Sequence, residues 1–231
     1  MQQVKDSFPE LSISHLISWT AFSAIGMLVG LAASRTIYAG LPDSMQLFLR
    51  ASMVYQAIFF GATIVGVIVG IGRWRRGELF PLAPGHWVLI FLGVYVLTQA
   101  LVVMTNEYSG SPSERNAYSI TNGVGFCIVG VFATLAFMQF RDLGLWSTYF
   151  GLYSVVSIAS ALFHMVFIFV STTIEQFVFM MHVVHWMATL AMVVAVAVDV
   201  SKRRKWDWLH WVGVAYGLVG ILFSASSPWF M

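Results

Sequence analysis

Three histidines and one glutamate occupy positions at which this sequence would bury them in apolar surroundings. His164 lies in one apolar stretch, and His182 and His185 lie in the next one together with Glu175. His185 follows His182 by three residues, and Glu175 precedes His182 by seven. A helix would therefore align all three along one side. Neutral imidazoles ligate metals and haem iron, and a Glu–His line can pass protons. These residues are the candidate site of the chain.

Several roles fit these histidines, and their spacing matches no known ligand signature. Three imidazoles can hold a transition metal, and two on facing helices can clamp a b-type haem. His164, His182 and His185 are therefore candidate cofactor and metal ligands. The alternative is structural: each imidazole hydrogen-bonds a carbonyl or a hydroxyl group and holds helices together. A candidate polar or proton path is formed by Glu175, Gln56, Gln99 and Asn122.

The elements that would position these side chains are seven long apolar stretches. Hydrophobic residues make up 59% of the 231 residues and charged residues 10%, whereas a soluble domain carries roughly 25% charged residues. About 20 apolar residues in a helix cross a bilayer, and a helix satisfies its own backbone there. We predict an all-α bundle in one transmembrane domain, 1–231, with spans at about 12–33, 45–72, 86–104, 117–140, 143–170, 173–198 and 208–226.

The fifth and sixth spans are separated by a very short turn at Ser171 and Thr172, which predicts an antiparallel hairpin. His164 precedes this turn by about eight residues and His182 follows it by about nine, so both lie at a similar depth. At ~1.5 Å of rise per residue, that depth is roughly 12–15 Å from the nearer membrane interface. The hairpin therefore predicts that the two imidazoles face each other.

Basic residues are concentrated in alternate gaps between the spans. Nine lie on one side: Lys5, Arg73, Arg75, Arg76, Arg141, Lys202, Arg203, Arg204 and Lys205. Three lie on the other side: Arg35, Arg50 and Arg115. Because basic residues stay on the cytoplasmic side, we expect a cytoplasmic N-terminus and an external C-terminus, in the cytoplasmic membrane of a bacterium.

Two basic loops are each followed by the tripeptide His-Trp-Val at the start of a span. The tripeptides begin at His86 and His210, four spans apart, so both point in the same direction. A parallel repeat of three, one and three helices, as in some small transporters, would produce this pattern. We expect His86 and His210, like His15, to be anchors at the membrane interface.

Small residues recur at helical spacing in the first two spans. Gly26 and Gly30 are four residues apart, as are Gly66 and Gly70. This pattern predicts close packing between helices of one chain.

The types of residue present argue against several functional classes. Cys127 is the only cysteine, which excludes an intrachain disulfide. The net charge of +2 gives no indication of nucleic-acid binding, and no lysine lies in a span to hold retinal. The sequence contains no nucleophile motif and no binding fingerprint.

The leading hypothesis is a non-enzymatic membrane subunit or small sensor, whose partners are the lipid bilayer and either another membrane protein or a second copy. The alternatives are a metal- or b-haem-binding redox protein and a small proton-coupled transporter.

Overall fold

The computed structural model describes residues 11–37, 42–77, 83–105, 112–167 and 174–226. These residues are helical and include no strand, so the prediction of an all-α fold is confirmed for this part of the chain. The α-helices are α1 (Ile13–Ile37), α2 (Asp43–Arg75), α3 (Pro84–Thr105), α4 (Pro112–Gln139), α5 (Leu145–Phe167), α6 (Ile174–Ser201) and α7 (Trp208–Ser226).

Four of these helices contain segments long and apolar enough to cross a membrane: Met45–Arg75, Ser119–Gln139, Leu145–Val166 and Val183–Ser201. Many large apolar side chains on these helices point outwards and are exposed. An exposed apolar surface of this extent is unfavourable in water and suits lipid. The chain is therefore a helical membrane protein. The count of seven spans and the direction of the termini stay predictions.

Consecutive helices of the bundle run antiparallel and are joined by polar contacts. The indole N–H of Trp19 donates to the carbonyl oxygen of Ile58 at 2.7 Å, which ties α1 to α2. The hydroxyl groups of Thr134 and Ser154, 2.6 Å apart, tie α4 to α5. Hydrogen bonds of this kind stabilise helix pairs where no water competes for the same groups.

Glycines bring α1 close to α2, as the Gly-x-x-x-Gly pattern predicts. A Cβ atom on Gly30 would lie 2.6 Å from the side chain of Met53, and one on Gly26 would lie 3.2 Å from Phe60. The two helices are close enough at these glycines for a Cβ atom to press on α2 side chains, so the prediction of close packing is confirmed for the first span.

Helices α3 and α7 run parallel and contact each other. One buried cluster joins α3 to α4, α5, α6 and α7, and a second joins α2, α3 and α7. Leu89, which directly follows the His-Trp-Val segment of α3, and Leu209, which directly precedes that of α7, are both buried in the second cluster. Because α3 and α7 belong to both clusters, contacts between them connect the two halves of the core.

One end of the bundle carries Arg75 at the end of α2, Arg141 just after α4 and Lys202 just after α6. We call it the basic end. Here α4 is followed by a single 3-10 turn, Arg141–Leu143, and then by Gly144. Gly144 has a φ of 54°, a conformation that glycine adopts without steric cost. This turn reverses the chain within a few residues and places the start of α5 beside the end of α6.

Candidate functional site

The structure places two of the predicted histidines on helices that pack together. His164 lies on α5, and its ring stacks on Phe126 with centroids 5.6 Å apart and an interplanar angle of 9°. His185 lies on α6, 6.4 Å from the ring of Tyr153. Both imidazoles are half-buried. The packing of α5 on α6 agrees with the predicted hairpin, whose turn lies outside the described residues.

One histidine of the predicted cofactor site and two residues of the predicted polar path are described only as backbone. His182 and Glu175 belong to the backbone of α6, but their side chains lie outside the described part, as does that of Gln99 on α3. Among the side chains that the structure does describe, no three histidine, cysteine or acidic residues are arranged to hold a metal ion. The metal and haem hypotheses stay predictions.

The other two residues of the predicted polar path lie on different helices. Gln56 is half-buried on α2, and its amide nitrogen is 3.5 Å from the hydroxyl of Ser52 in the same helix. Asn122 on α4 is 2% exposed. Helices α2 and α4 both pack on α3, which lies between them in the chain. A continuous polar path from Gln56 to Asn122 stays a prediction.

A second polar cluster lies at the basic end, at two histidines that were expected to be interfacial anchors. His86 Nε2 lies 2.7 Å from Asp207 Oδ1, and neither side chain is exposed. His210 is also fully buried. The expectation of interfacial anchoring is wrong for His86 and His210, because the close approach of α3 to α7 buries both rings.

His210 joins this cluster through both its backbone and its ring. Its backbone N–H donates to Asp207 Oδ1 at 2.8 Å, and its Nδ1 accepts a hydrogen bond from the backbone N–H of Gly85 at 2.9 Å. A neutral His210 therefore carries its proton on Nε2. This Nε2 and Asp207 Oδ2 are buried without a hydrogen-bond partner among the described residues. We call His86, Asp207 and His210 the His–Asp–His cluster.

Local sequence explains how the cluster forms. Asp207 directly precedes α7, and its carboxylate accepts the N–H of the third helical residue, which is the role of an aspartate N-cap. Glycines remove the steric barrier between the two helix starts. A Cβ atom on Gly85 would lie 2.0 Å from the carbonyl oxygen of His210, and one on Gly213 would lie 1.9 Å from that of Gly85.

The cluster favours the ionised form of Asp207. Burial raises the pKa of this carboxyl group, but the hydrogen bond and charge of His86 lower it, as does the backbone N–H of His210. The net result is a pKa below the usual aspartate value. A buried carboxylate is stable only where such partners replace its water, so the surrounding groups hold the charge in place.

Asp199, at the end of α6, forms a second polar centre near the cluster. Its Oδ2 accepts hydrogen bonds from the indole N–H groups of Trp146 and Trp206, both at 2.8 Å. Its Oδ1 accepts one from Arg204 Nη1, also at 2.8 Å. The carboxylate is 1% exposed and is fully surrounded by donors. These bonds fix the end of α6 to the start of α5 and to the connector that precedes α7.

Trp146 connects Asp199 to the His–Asp–His cluster and to an open cleft. Its ring lies edge-on to His210, with centroids 5.8 Å apart, while Trp206 stacks on the same imidazole at 5.0 Å. Trp146 also lines a cleft of about 400 Å³ between the start of α5 and the end of α6. Apolar residues that line this cleft include Leu143 and Val198.

Sequence signals for this cluster were present. Asp207 lies three residues before His210, a spacing typical of a helix N-cap and the backbone N–H that it accepts. The repeated His-Trp-Val segments also mark the two helix starts that meet. Nothing in the sequence indicated that these two starts lie side by side.

The fold and these contacts define a helical membrane protein with a buried His–Asp–His cluster at its basic end. Comparison with protein-family models, with curated proteins and with solved structures gave no match. The function is therefore argued from the site alone.

Proposed function

We propose that this chain is a non-enzymatic, seven-span protein of a bacterial cytoplasmic membrane that acts as a small sensor. One observation carries this proposal. Trp146 lines the open cleft and also contacts His210, in the cluster that joins α3 to α7. A ligand in the cleft would thus touch Trp146, which also packs against the α3–α7 contact at His210.

The proposal depends on the contacts that would change if a ligand displaced Trp146. Its indole N–H is bonded to Asp199, and its ring packs against His210. His210 accepts the N–H of Gly85, at the start of α3. Densely packed contacts change between discrete arrangements rather than deforming smoothly, so a small displacement at the cleft can change how α3 packs on α7.

The experiment measures a distance across the basic end in bilayers of different headgroup composition. Spin labels are placed at Arg75→Cys, at the end of α2, and at Lys205→Cys, in the α6–α7 connector. The background is Cys127→Ser, which removes the exposed native thiol. Electron spin resonance then gives the distribution of distances between the labels in each bilayer.

A sensor is expected to show two distance populations whose ratio depends on the bilayer. In Trp146→Phe, which lacks the N–H donated to Asp199, the ratio should no longer respond. One unchanged distribution in every bilayer would contradict the proposal, as would an unchanged response in Trp146→Phe.

A redox or metal function is the second candidate, favoured by the positions of His164 and His185. Both are half-buried on helices that pack together, as ligands from facing helices must be. Its test is the visible spectrum and metal content of the purified protein. A haem absorption band or a stoichiometric metal that disappears in His182→Ala would support this function, and a colourless, metal-free protein would remove it.

A further inference from the structure

The cleft at the basic end is lined by apolar side chains, which include Leu143 and Val198 and which we call its floor, and by charged side chains, which we call its rim. Its volume of about 400 Å³ lies within the range of ligand-binding clefts, roughly 300–1,000 Å³. The charged residues that line it are Asp142, Asp199, Lys202 and Arg204. Two are acidic and two are basic, so the rim has no formal net charge.

Two of these four charges neutralise each other inside the protein. The Asp199 carboxylate is 1% exposed and accepts Arg204 Nη1 at 2.8 Å. Lys202 and Asp142 are both exposed and lie outside this ion pair, so their charges are the ones not already committed to it. Asp142 is paired with Arg141 at 3.8 Å, but both side chains are largely in solvent, and such a pair is worth little and exchanges readily.

The surroundings of the cleft are those of a membrane interface. Helix α6, which forms one wall, exposes Val194 and Val200 on its outer surface, with 39% and 59% of their area accessible. An apolar floor that lies beside this surface can receive the first part of an acyl chain or a glycerol backbone. The rim residues Lys202 and Asp142 offer one cation and one carboxylate to a headgroup.

We infer that the cleft binds the headgroup of phosphatidylethanolamine from the surrounding bilayer. Lys202 binds the phosphate, and Asp142 accepts hydrogen bonds from the ethanolamine ammonium group. A primary ammonium carries three N–H donors. The quaternary nitrogen of choline carries none, and a glycerol headgroup has no cation. The pairing of opposite charges on the rim thus matches a zwitterionic lipid with a primary amine. This inference deepens the proposed function by naming a ligand for the cleft. Any signal that the bound lipid produces rests on the proposed sensor function.

Lipid retention by the full-length protein tests this inference directly. The protein is reconstituted in bilayers that contain equal amounts of phosphatidylethanolamine, phosphatidylcholine and phosphatidylglycerol with the same acyl chains. It is then released into detergent, and the retained lipids are counted by native mass spectrometry. We expect phosphatidylethanolamine to be retained preferentially.

Two variants separate the two contacts, and a third is the control. Lys202→Gln should lower retention of all three phospholipids about fivefold, as expected for a partly exposed charge pair. Asp142→Asn should remove the preference for phosphatidylethanolamine and leave the other two lipids unchanged. Arg75→Gln removes an exposed cation at the same end of the bundle but outside the cleft, and should change nothing.

The outcomes distinguish this inference from the sensor proposal. Equal retention of the three lipids by the native protein would overturn the inference, as would unchanged retention in Lys202→Gln. Selective retention that depends on Lys202 and Asp142, combined with an unchanged spin-label distance, would confirm the lipid site and contradict the sensor. The three substituted residues are exposed, so the variants are expected to fold like the native chain.

Discussion

One oxygen of Asp207 joins the start of α3 to the start of α7. Asp207 Oδ1 lies 2.7 Å from His86 Nε2 and 2.8 Å from the backbone nitrogen of His210. The two histidines lie in the first turns of these helices, and both are buried. A single carboxylate thus acts as a helix cap and as the buried partner of an imidazole on another helix.

Removal of this carboxylate should destabilise the protein strongly. Asp207→Ala removes the partner of His86 and the cap of α7, and leaves a buried imidazole without its acceptor. Loss of one partner of a buried pair costs about 3–5 kcal/mol. We expect a large fall in the thermal unfolding temperature in detergent, followed by tryptophan fluorescence.

The matched control for this substitution is Asp142→Ala. Asp142 is also paired with a basic residue, Arg141, but at 3.8 Å and in solvent. Its removal should cost less than about 1 kcal/mol. Equal effects of the two substitutions would show that the His86–Asp207 contact contributes no special stability.

The same carboxylate predicts a specific loss of stability in acid. The folded protein lowers the pKa of Asp207, so ionised Asp207 stabilises the fold at every pH above its unfolded value of about 4. As the pH falls through that value towards the lower folded pKa, this contribution is lost. The unfolding temperature should therefore decline below about pH 4 in the native protein.

Asp207→Asn isolates this effect, since the amide keeps a cap acceptor but does not titrate. The variant should be less stable than the native protein at pH 7, and the difference should shrink as the pH falls below about 4. A difference that stays constant from pH 7 to pH 2 would assign the acid sensitivity to other groups.

The contact between α3 and α7 should tolerate no side chain at Gly85. A methyl group there would meet the carbonyl oxygen of His210 at 2.0 Å, and backbone cannot move aside as a flexible side chain can. Gly85→Ala should separate the two helix starts, lower the unfolding temperature and speed hydrogen exchange at the Gly85–His210 bond.

Gly72→Ala is the comparison for this prediction. Among the described residues, no atom outside the local backbone of its own helix lies within 4 Å of a Cβ atom built on Gly72, which is also helical. Alanine there should be neutral or stabilise the helix by about 0.5–1 kcal/mol. If both alanine variants behave alike, helix propensity rather than the α3–α7 contact governs stability at these positions.

The sequence predicted the helices of the described residues far better than it predicted their contacts. Apolar stretches and breaker residues located α7 at its observed bounds, Trp208–Ser226, and Gly26 and Gly30 correctly indicated close packing. These signals are local, since each depends on residues within one or two turns.

The His–Asp–His cluster was missed for a physical reason. A histidine beside a basic loop has the same local pattern whether it faces lipid headgroups or another helix. His86 and Asp207 are 121 residues apart in the chain, and only the parallel packing of α3 on α7 brings them together. Periodicity and charge give the position of a residue along the membrane normal, but not the identity of its neighbours.

The direction of the chain across the membrane gives the last prediction. The basic end carries the exposed charges Arg75, Arg76, Arg141, Lys202 and Lys205. Because the cytoplasmic side retains such residues, a phosphatase that folds only in an oxidising compartment should be active when fused after Met231. The same reporter fused after Lys205 should be inactive although an immunoblot detects it at a similar level. Activity only in the Lys205 fusion would reverse the orientation and place the cleft and the His–Asp–His cluster on the external side.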